Sequence, residues 1–371
     1  VIFLLAIDVL DLTELEPNIP PLEFGVYCTS IAGPPGVGKS EFCTKYDKPF
    51  IFDFEEGTKG KVVFRVPVSR WIEVKKYIRQ LVSKPELKNK FQTCAIDTVN
   101  YCLEACKQYI IDQYQADHPD KIIDTFNKIP YGGGKELLSK EFKGEINKLK
   151  RAGYGVILVS HIKDKVFDKE TENEHTKTVP DLTDADRNMI NAMADFSLLV
   201  DFETDIIEPA KKDSNGKVIK EAVVETKRVM YLRTNESAEA KFRWPNVPEK
   251  IDFDYDAFKQ VFQEAVLQEI EQGKKKFGLS DEKIEEIKDS LSYRRENEQE
   301  ETIKEEQEKD KLEKEQESLE FTINSIMELA KELKGNGVDI KEINKVLGGD
   351  PRKLKDIEEA RTTLKNLRNL K

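Results

Sequence analysis

The chain reads as an α/β protein with a mainly parallel sheet flanked by helices, followed by a charged helical C-terminal extension. Three observations predict this. From Val26 to about Val261, short apolar runs alternate with helical patterns, as a parallel sheet with crossover helices requires. Gly33-Pro34-Pro35-Gly36-Val37-Gly38-Lys39-Ser40 fits the G-x-x-x-x-G-K-[ST] phosphate loop without a mismatch, between an apolar run and a helical one. Near Gln268 the composition turns: between Asp281 and Glu320, 8 Lys/Arg and 17 Asp/Glu stand among 40 residues, too charged for a core.

The elements follow in order. Val26 to Ala32 is a buried strand feeding the loop, and a helix begins around Gly38 and continues through Glu41 to Tyr46. Phe50 to Phe54 and Lys61 to Val68 are strands. Arg70 to Val82 is a helix, because Trp71, Val74, Ile78 and Leu81 recur at spacings of three and four. Gln92 to Asp97 is a strand, Val99 to Tyr114 a helix, and Lys135 to Arg151 an amphipathic helix on a stripe of Leu137, Phe142, Ile146 and Leu149, ended by Gly153. Tyr154 to Ser160 is a strongly apolar strand. Ala194 to Phe202 and Arg228 to Arg233 are two more, separated by a charged stretch whose Asn215-Gly216 pair signals a hairpin turn. Beyond the charged stretch, Ile323, Ile326, Ala330 and Leu333 form one helical stripe. Asp339 with Glu342 opens a second helix, and Asp350-Pro351 opens a third carrying Leu354, Ile357, Leu364 and Leu367.

Bulk properties narrow the class. The 371 residues carry a net charge of −11, which argues against a generally basic nucleic-acid binder but leaves room for a local basic track. The five cysteines, Cys28, Cys43, Cys94, Cys102 and Cys106, include no C-x-x-C pair, so zinc is not expected and a reduced, cytoplasmic setting is. Val1 to Leu10 is apolar but too short to span a bilayer, and it lacks the basic flank and small-residue site of a secretory signal. No membrane role is expected.

The chemistry centres on the loop. Gly33, Gly36 and Gly38 allow tight turns that aim successive N–H groups, those of Pro-free positions such as Val37 included, into one anion-sized hollow. The N-terminal end of the following helix adds positive potential. Lys39 reaches the β- and γ-phosphates of ATP, and the Ser40 hydroxyl holds Mg²⁺. Hydrolysis also needs a metal anchor, a group that activates water and a γ-phosphate sensor. Asp97 ends an apolar strand and suits the first. A carboxylate in Asp53-Phe54-Glu55-Glu56-Gly57-Thr58 suits the second, and His161, directly after an apolar strand, suits the third.

These residues resemble the core of RecA-type ATPases. They are most similar to the phage-encoded group of small RecA-like nucleotide-binding proteins, which includes single-strand annealing recombinases. Tyr131-Gly132-Gly133-Gly134-Lys135 and Val159-Ser160-His161-Ile162-Lys163 carry that closer likeness, which covers about residues 22 to 265. The resemblance implies that the Glu of an Asp-x-Glu strand end is the catalytic base. It falls on Glu55, with Glu56 left open because the chain has one extra residue before Gly57-Thr58. His161 takes the place of a polar sensor that couples the γ-phosphate to DNA-binding loops, here about 162–184 and 203–227. The first carries Lys163, Lys165, Lys169 and Lys177; the second carries Lys211, Lys212, Lys217, Lys220 and Lys227. Family members form rings or filaments with ATP at subunit interfaces, so Lys227, Arg228, Arg233, Lys241 and Arg243 become candidates to reach a neighbour's nucleotide.

The expected division is an N-terminal extension over 1–21, a RecA-like P-loop ATPase core over 22–265, a charged helical linker over 266–320 and a small helical module over 321–371. The expected activity is a DNA-stimulated, ATP-driven role on single-stranded DNA in phage recombination, annealing or repair, by a homo-oligomer in the host cytoplasm. The C-terminal region would meet a single-strand-binding protein or replisome partner. A replication accessory ATPase that loads or remodels a helicase, and a nucleotide-switched binding module, are the alternatives.

Overall fold

The computed structural model describes residue 13 and residues 15–370, apart from 168–174, 209–210, 213–217, 221–222 and 337. Lys169, Lys217 and the Asn215-Gly216 turn lie outside the described residues. So do Val1 to Leu10.

Buried strands of a parallel sheet read as continuous apolar runs, and here they carry the fold. They are β1 (Cys28–Ala32), β2 (Pro49–Asp53), β4 (Thr93–Asp97), β5 (Gly155–Ser160) and the first part of β8 (Phe196–Glu208), with the more exposed β3 (Phe64–Pro67) at the edge. Between β5 and β8 lie the hairpin strands β6 (Ile162–Phe167) and β7 (His175–Pro180). After β8 come the short pair β9 (Lys211–Lys212) and β10 (Val218–Lys220), then β11 (Val223–Tyr231) and β12 (Lys250–Asp252). The eight-stranded sheet has the order β12-β11-β8-β1-β5-β4-β2-β3. The pairs from β8 to β3 are parallel, whereas β11 runs antiparallel to both β8 and β12. The expected sheet is therefore present, with an antiparallel edge.

The central strands β1, β2, β4 and β5 bury both faces. Phe50 and Phe52 of β2 point into one apolar cluster and Ile51 into the other. The first cluster packs under α2 (Trp71–Ser83), α3 (Val99–Asp117), α4 (Gly133–Arg151) and α5 (Asp184–Met193). The second packs under α1 (Lys39–Thr44), α6 (Tyr255–Phe277) and the start of α7 (Asp281–Gly335). In α4 the buried stripe is Leu138, Phe142, Ile146 and Leu149, while Leu137 faces solvent, so the expected stripe was one residue out of phase at its start. All five cysteines are buried and free. Burial pushes the Cys28 and Cys94 thiols up to about 12, which suits small core residues.

Two expectations change. The two segments expected as loops are β-ribbons: β6 and β7 form a hairpin, and β8 continues well past Phe202 to pair with β11. The core also runs beyond residue 265. Val266, Ile270, Ile284 and Ile287 are buried in the second cluster, and Leu279 and Leu291 pack against it. Ile284, Ile287 and Leu291 recur at spacings of three and four, a one-sided stripe hidden by the charges between them. The chain divides into two compact units, residues 1–302 and 303–371.

The second unit comprises the end of α7, α8 (Ile340–Leu347) and α9 (Ile357–Arg368), closed around Ile326, Leu333, Ile343, Ala360 and Leu367. The Asp339 side chain caps α8 by accepting from the Lys341 N–H. Asp350 caps only a short 3₁₀ turn, Pro351–Lys353. The third helix starts at Ile357 and is capped by Asp356, which accepts from the Glu359 N–H. A carboxylate at either position satisfies an orphan helix-start donor, so the two signals look alike in sequence.

The buried stripe of α7 is testable. Ile287→Ala is expected to lower stability by about 2–4 kcal/mol, the usual cost of truncating a core isoleucine, in urea unfolding followed by circular dichroism. Its exposed neighbour Glu286→Ala is expected to move it by less than about 0.5 kcal/mol.

Candidate nucleotide-binding site

The strand register brings the functional residues to one edge. Asp53 lies opposite Asp97, Asp97 opposite Val159, and Ala32 opposite Ser160, so the C-terminal ends of β1, β2, β4 and β5 are level. The ladder continues one residue further on both sides: the Gly33 N–H donates to the Ser160 carbonyl at 3.2 Å and the Phe54 N–H to the Asp97 carbonyl at 2.7 Å. The loop and the Glu55 turn are thus held by main-chain bonds to the strands beside them.

Within the loop, Gly33 is needed for space. A Cβ there would lie 2.8 Å from the Val200 carbonyl oxygen of β8, which corrects the expectation that all three glycines serve turning. Gly38 does serve turning, at a φ of +109°, a conformation that disfavours a side chain. Val37 is buried as the loop's apolar anchor, and Pro34, Pro35 and Gly36 form its outer rim. Lys39 is buried beneath. Its Nζ donates to the carbonyls of Gly33 at 2.6 Å and Pro34 at 2.9 Å. Burial lowers the Lys39 pKa, and the nearby Asp97 and Glu55 carboxylates oppose that.

Next to the loop stands a layer of acids. Ser40 Oγ donates to Asp97 Oδ2 at 2.6 Å. Burial raises the Asp97 pKa against this bond, and Asp53 and Glu55 raise it further. Asp53 Oδ2 accepts from the Thr58 hydroxyl at 2.5 Å, from the Thr58 N–H at 3.2 Å and from Arg65 at 2.9 Å. This fully buried carboxylate therefore closes the turn that carries Glu55 and Glu56.

Those two glutamates are placed differently. Glu55 Oε1 accepts from the Thr98 hydroxyl at 2.9 Å and lies 2.7 Å from His161 Nε2, which donates to it when that nitrogen carries the proton. Glu56 has a φ of +56°, and its side chain, 58% exposed, pairs with Lys59. The main chain of His161 is held as well. Its N–H donates to Asn100 Oδ1 at 3.3 Å, and its carbonyl accepts from the Asp181 N–H at 2.8 Å. Asn100 Nδ2 donates to the Asp181 carbonyl at 2.6 Å, so one side chain joins the start of α3, the end of β5 and the base of the β6–β7 hairpin.

Lys39, Ser40, Asp97, Glu55 and His161 thus converge, and Glu56 turns away. Of the five basic candidates for reaching a neighbour's nucleotide, only Arg228 comes to the loop, and it is the loop of its own chain: NH1 donates to the Val37 carbonyl at 3.2 Å. Lys227 pairs with Asp205, and Arg233 donates to the Pro245 carbonyl. Lys241 donates to the carbonyls of Asn191 and Ala194, and Arg243 pairs with Asp195, at the opposite end of the strands. Thr58, Arg65 and Asn100 had no sequence signal of their own, whereas Thr98 was findable as the residue after a strand-end carboxylate.

The donors fit Mg²⁺. A hydroxyl and a carboxylate already 2.6 Å apart are hard oxygen ligands, and this ion takes one or two protein oxygens and fills its shell with phosphate oxygens and water. Accordingly, no group of three or more His, Cys, Asp or Glu forms a metal cluster among the described residues. Ser40 and Asp97 would hold the ion, which supplies charge neutralisation on the phosphates when bound.

A family model described as an AAA domain matches residues 27–244. The match covers more than half of the chain, from β1 to beyond β11, and the chain belongs to this family of P-loop ATPase-type, nucleotide-binding domains. No curated protein matches the chain significantly. Among the described residues, no helix is long and apolar enough to cross a membrane.

Lys39→Ala is expected to abolish measurable ATP binding in calorimetric titration while leaving the melting temperature unchanged or higher, since it removes an ammonium whose burial disfavours its charge and whose hydrogen bonds go to two loop carbonyls.

Proposed function

We propose that the chain hydrolyses ATP with Glu55 as the base and couples that reaction to binding of single-stranded DNA, in recombination, annealing or repair of the kind phages encode. The observation that carries the reading is the continuous hydrogen-bonded path from Glu55 through His161 and Asn100 to the base of the β6–β7 hairpin.

At one end of this path, Glu55 takes a proton from water as its oxygen bonds to the γ-phosphorus and the bond to the β,γ-bridging oxygen breaks, leaving ADP and phosphate. Thr98 and His161 fix the carboxylate, and Asp53 with Thr58 and Arg65 fixes the turn beneath it. In this reading a γ-phosphate in the loop alters the bond between His161 and Glu55.

At the other end, the hairpin supports a nucleic-acid reading. Lys165 and Lys177 are directly opposite in the register, and both ammoniums lie over the Phe167 ring, at 5.1 and 6.0 Å from its centroid. Aromatic rings grouped with cations are how single strands are held without sequence preference, because every base can stack and every phosphate is negative. Lys165 also pairs with Asp184, and Lys163 with Asp181, which moderates the charge of this face. A cleft of about 330 Å³ lined by Asn100, Tyr101, His161, Lys163 and Asp181 joins hairpin and nucleotide edge. Assembly into a homo-oligomer, and a protein partner for the C-terminal unit, belong to the same proposal. The replication accessory ATPase is the reading that remains if turnover responds to a helicase or single-strand-binding protein and not to DNA.

The test is ATP turnover with and without single-stranded DNA at fixed salt. Stimulation supports the proposal, and turnover indifferent to DNA contradicts it. Glu55→Gln is expected to slow turnover by about 10²–10⁴-fold with ATP binding retained, while Glu56→Gln stays near wild type. Phe167→Ala is expected to weaken single-strand binding by about 1–3 kcal/mol, the worth of one stacked base, in fluorescence anisotropy, without altering turnover in the absence of DNA.

A further inference from the structure

We propose that Arg228, braced on Phe253, forms the wall that takes the nucleoside half of the bound nucleotide, by stacking of the guanidinium on the base. The inference rests on the reading of Gly33–Ser40 as a nucleotide site and goes beyond it by naming what contacts the part that is not phosphate.

The direction of the nucleotide follows from the sheet order. Strand β1, which feeds the loop, lies between β5 and β8. Asp97, Glu55 and His161 all lie on the β5 side. A triphosphate whose γ-end faces that layer has its α-end, and the sugar and base beyond it, on the β8–β11 side. Arg228 is on β11 there, opposite Phe202 in the register, and its guanidinium lies against the outer turn of the loop. A Cβ on Gly38 would be 3.0 Å from Arg228 NH1 and 3.4 Å from the Phe253 ring.

The wall is rigid on its inner side and open on its outer side. The guanidinium carbon is 5.7 Å from the Phe253 ring centroid. That ring in turn packs 5.3 Å from the ring of Phe42, a buried residue of α1. The Phe253 N–H donates to the Arg228 carbonyl at 2.9 Å, locking the two residues together in main chain. Arg228 itself is exposed, and no carboxylate pairs with it among the described residues. A planar, weakly hydrated cation that is braced beside a ring and otherwise exposed offers a stacking surface, the property that separates Arg from Lys. It acts within one chain, in contrast to the expectation that this residue reaches a neighbour's nucleotide.

Two titrants separate the roles: Mg-ATP, and Mg-tripolyphosphate, which has the phosphates but no nucleoside. Calorimetry on the full chain should show Arg228→Ala binding ATP about five- to thirty-fold more weakly, the range for a desolvated cation–π contact, with tripolyphosphate affinity changed less than about twofold. Arg228→Lys should resemble the alanine variant for ATP, since it keeps the charge and loses the plane. Equal losses for both titrants would make Arg228 a phosphate or loop-positioning group and overturn the proposal, as would no loss for either. Lys39→Ala run in parallel reports on the underlying reading: if that variant binds both titrants as wild type does, the phosphate-loop assignment has failed, whatever Arg228 does.

Discussion

The hydrogen bond between Ser40 and Asp97 is the contact on which the site depends, because it ties the phosphate loop to the acidic edge of the sheet. It forms only if β1 and β4 end level, two strands apart, with β5 between them. The parallel register supplies that, and it is held in turn by the apolar clusters on both faces of the same strands. A one-residue slip in any of these strands would send the inward side chains of one cluster into the other. Packing and chemistry therefore share one constraint: the alternation that fills the two clusters is the alternation that delivers Asp53, Asp97 and Ser160 to the edge.

The edge is electrostatically loaded. Three carboxylates, Asp53, Asp97 and Glu55, stand close enough to raise the Asp97 pKa together with its burial, and the nearest cations are Lys39 and Arg65. Arg65 is committed to Asp53, whose charge is used to close a turn. Burial weakens the hold of Lys39 on its proton as well. Such an arrangement disfavours the charged forms of Asp97 and Lys39 alike.

Much of this was legible in the chain. The phosphate loop is local, so eight consecutive residues specify it, and the buried strands stand out because a parallel sheet leaves no polar face. Asp97 and His161 were legible as polar residues at the ends of such strands. What was hidden depended on pairing. Thr98 meets Glu55 across 43 positions and Arg65 meets Asp53 from a neighbouring strand, relations that no local pattern encodes. The different placement of Glu55 and Glu56 was also hidden, because in sequence the two are identical neighbours. The geometry separates them, since one residue in a left-handed conformation turns its side chain to solvent. Ile284 and Ile287 were masked by composition, because a window average over so many charges conceals a one-sided stripe.

We propose that a γ-phosphate in the loop is felt at the Glu55–His161 contact. The chain has three histidines, His118, His161 and His175, so imidazole resonances are few enough to follow singly. His118, stacked on Tyr114 at the end of α3, is an internal control. In histidine-selective NMR, with His161 assigned from a His161→Gln spectrum, a non-hydrolysable ATP analogue with Mg²⁺ should shift the His161 resonances strongly. ADP with Mg²⁺ should shift them little, and His118 should stay unmoved in both. Equal responses to ADP and the ATP analogue, or no response at His161 under saturating analogue, would contradict the account.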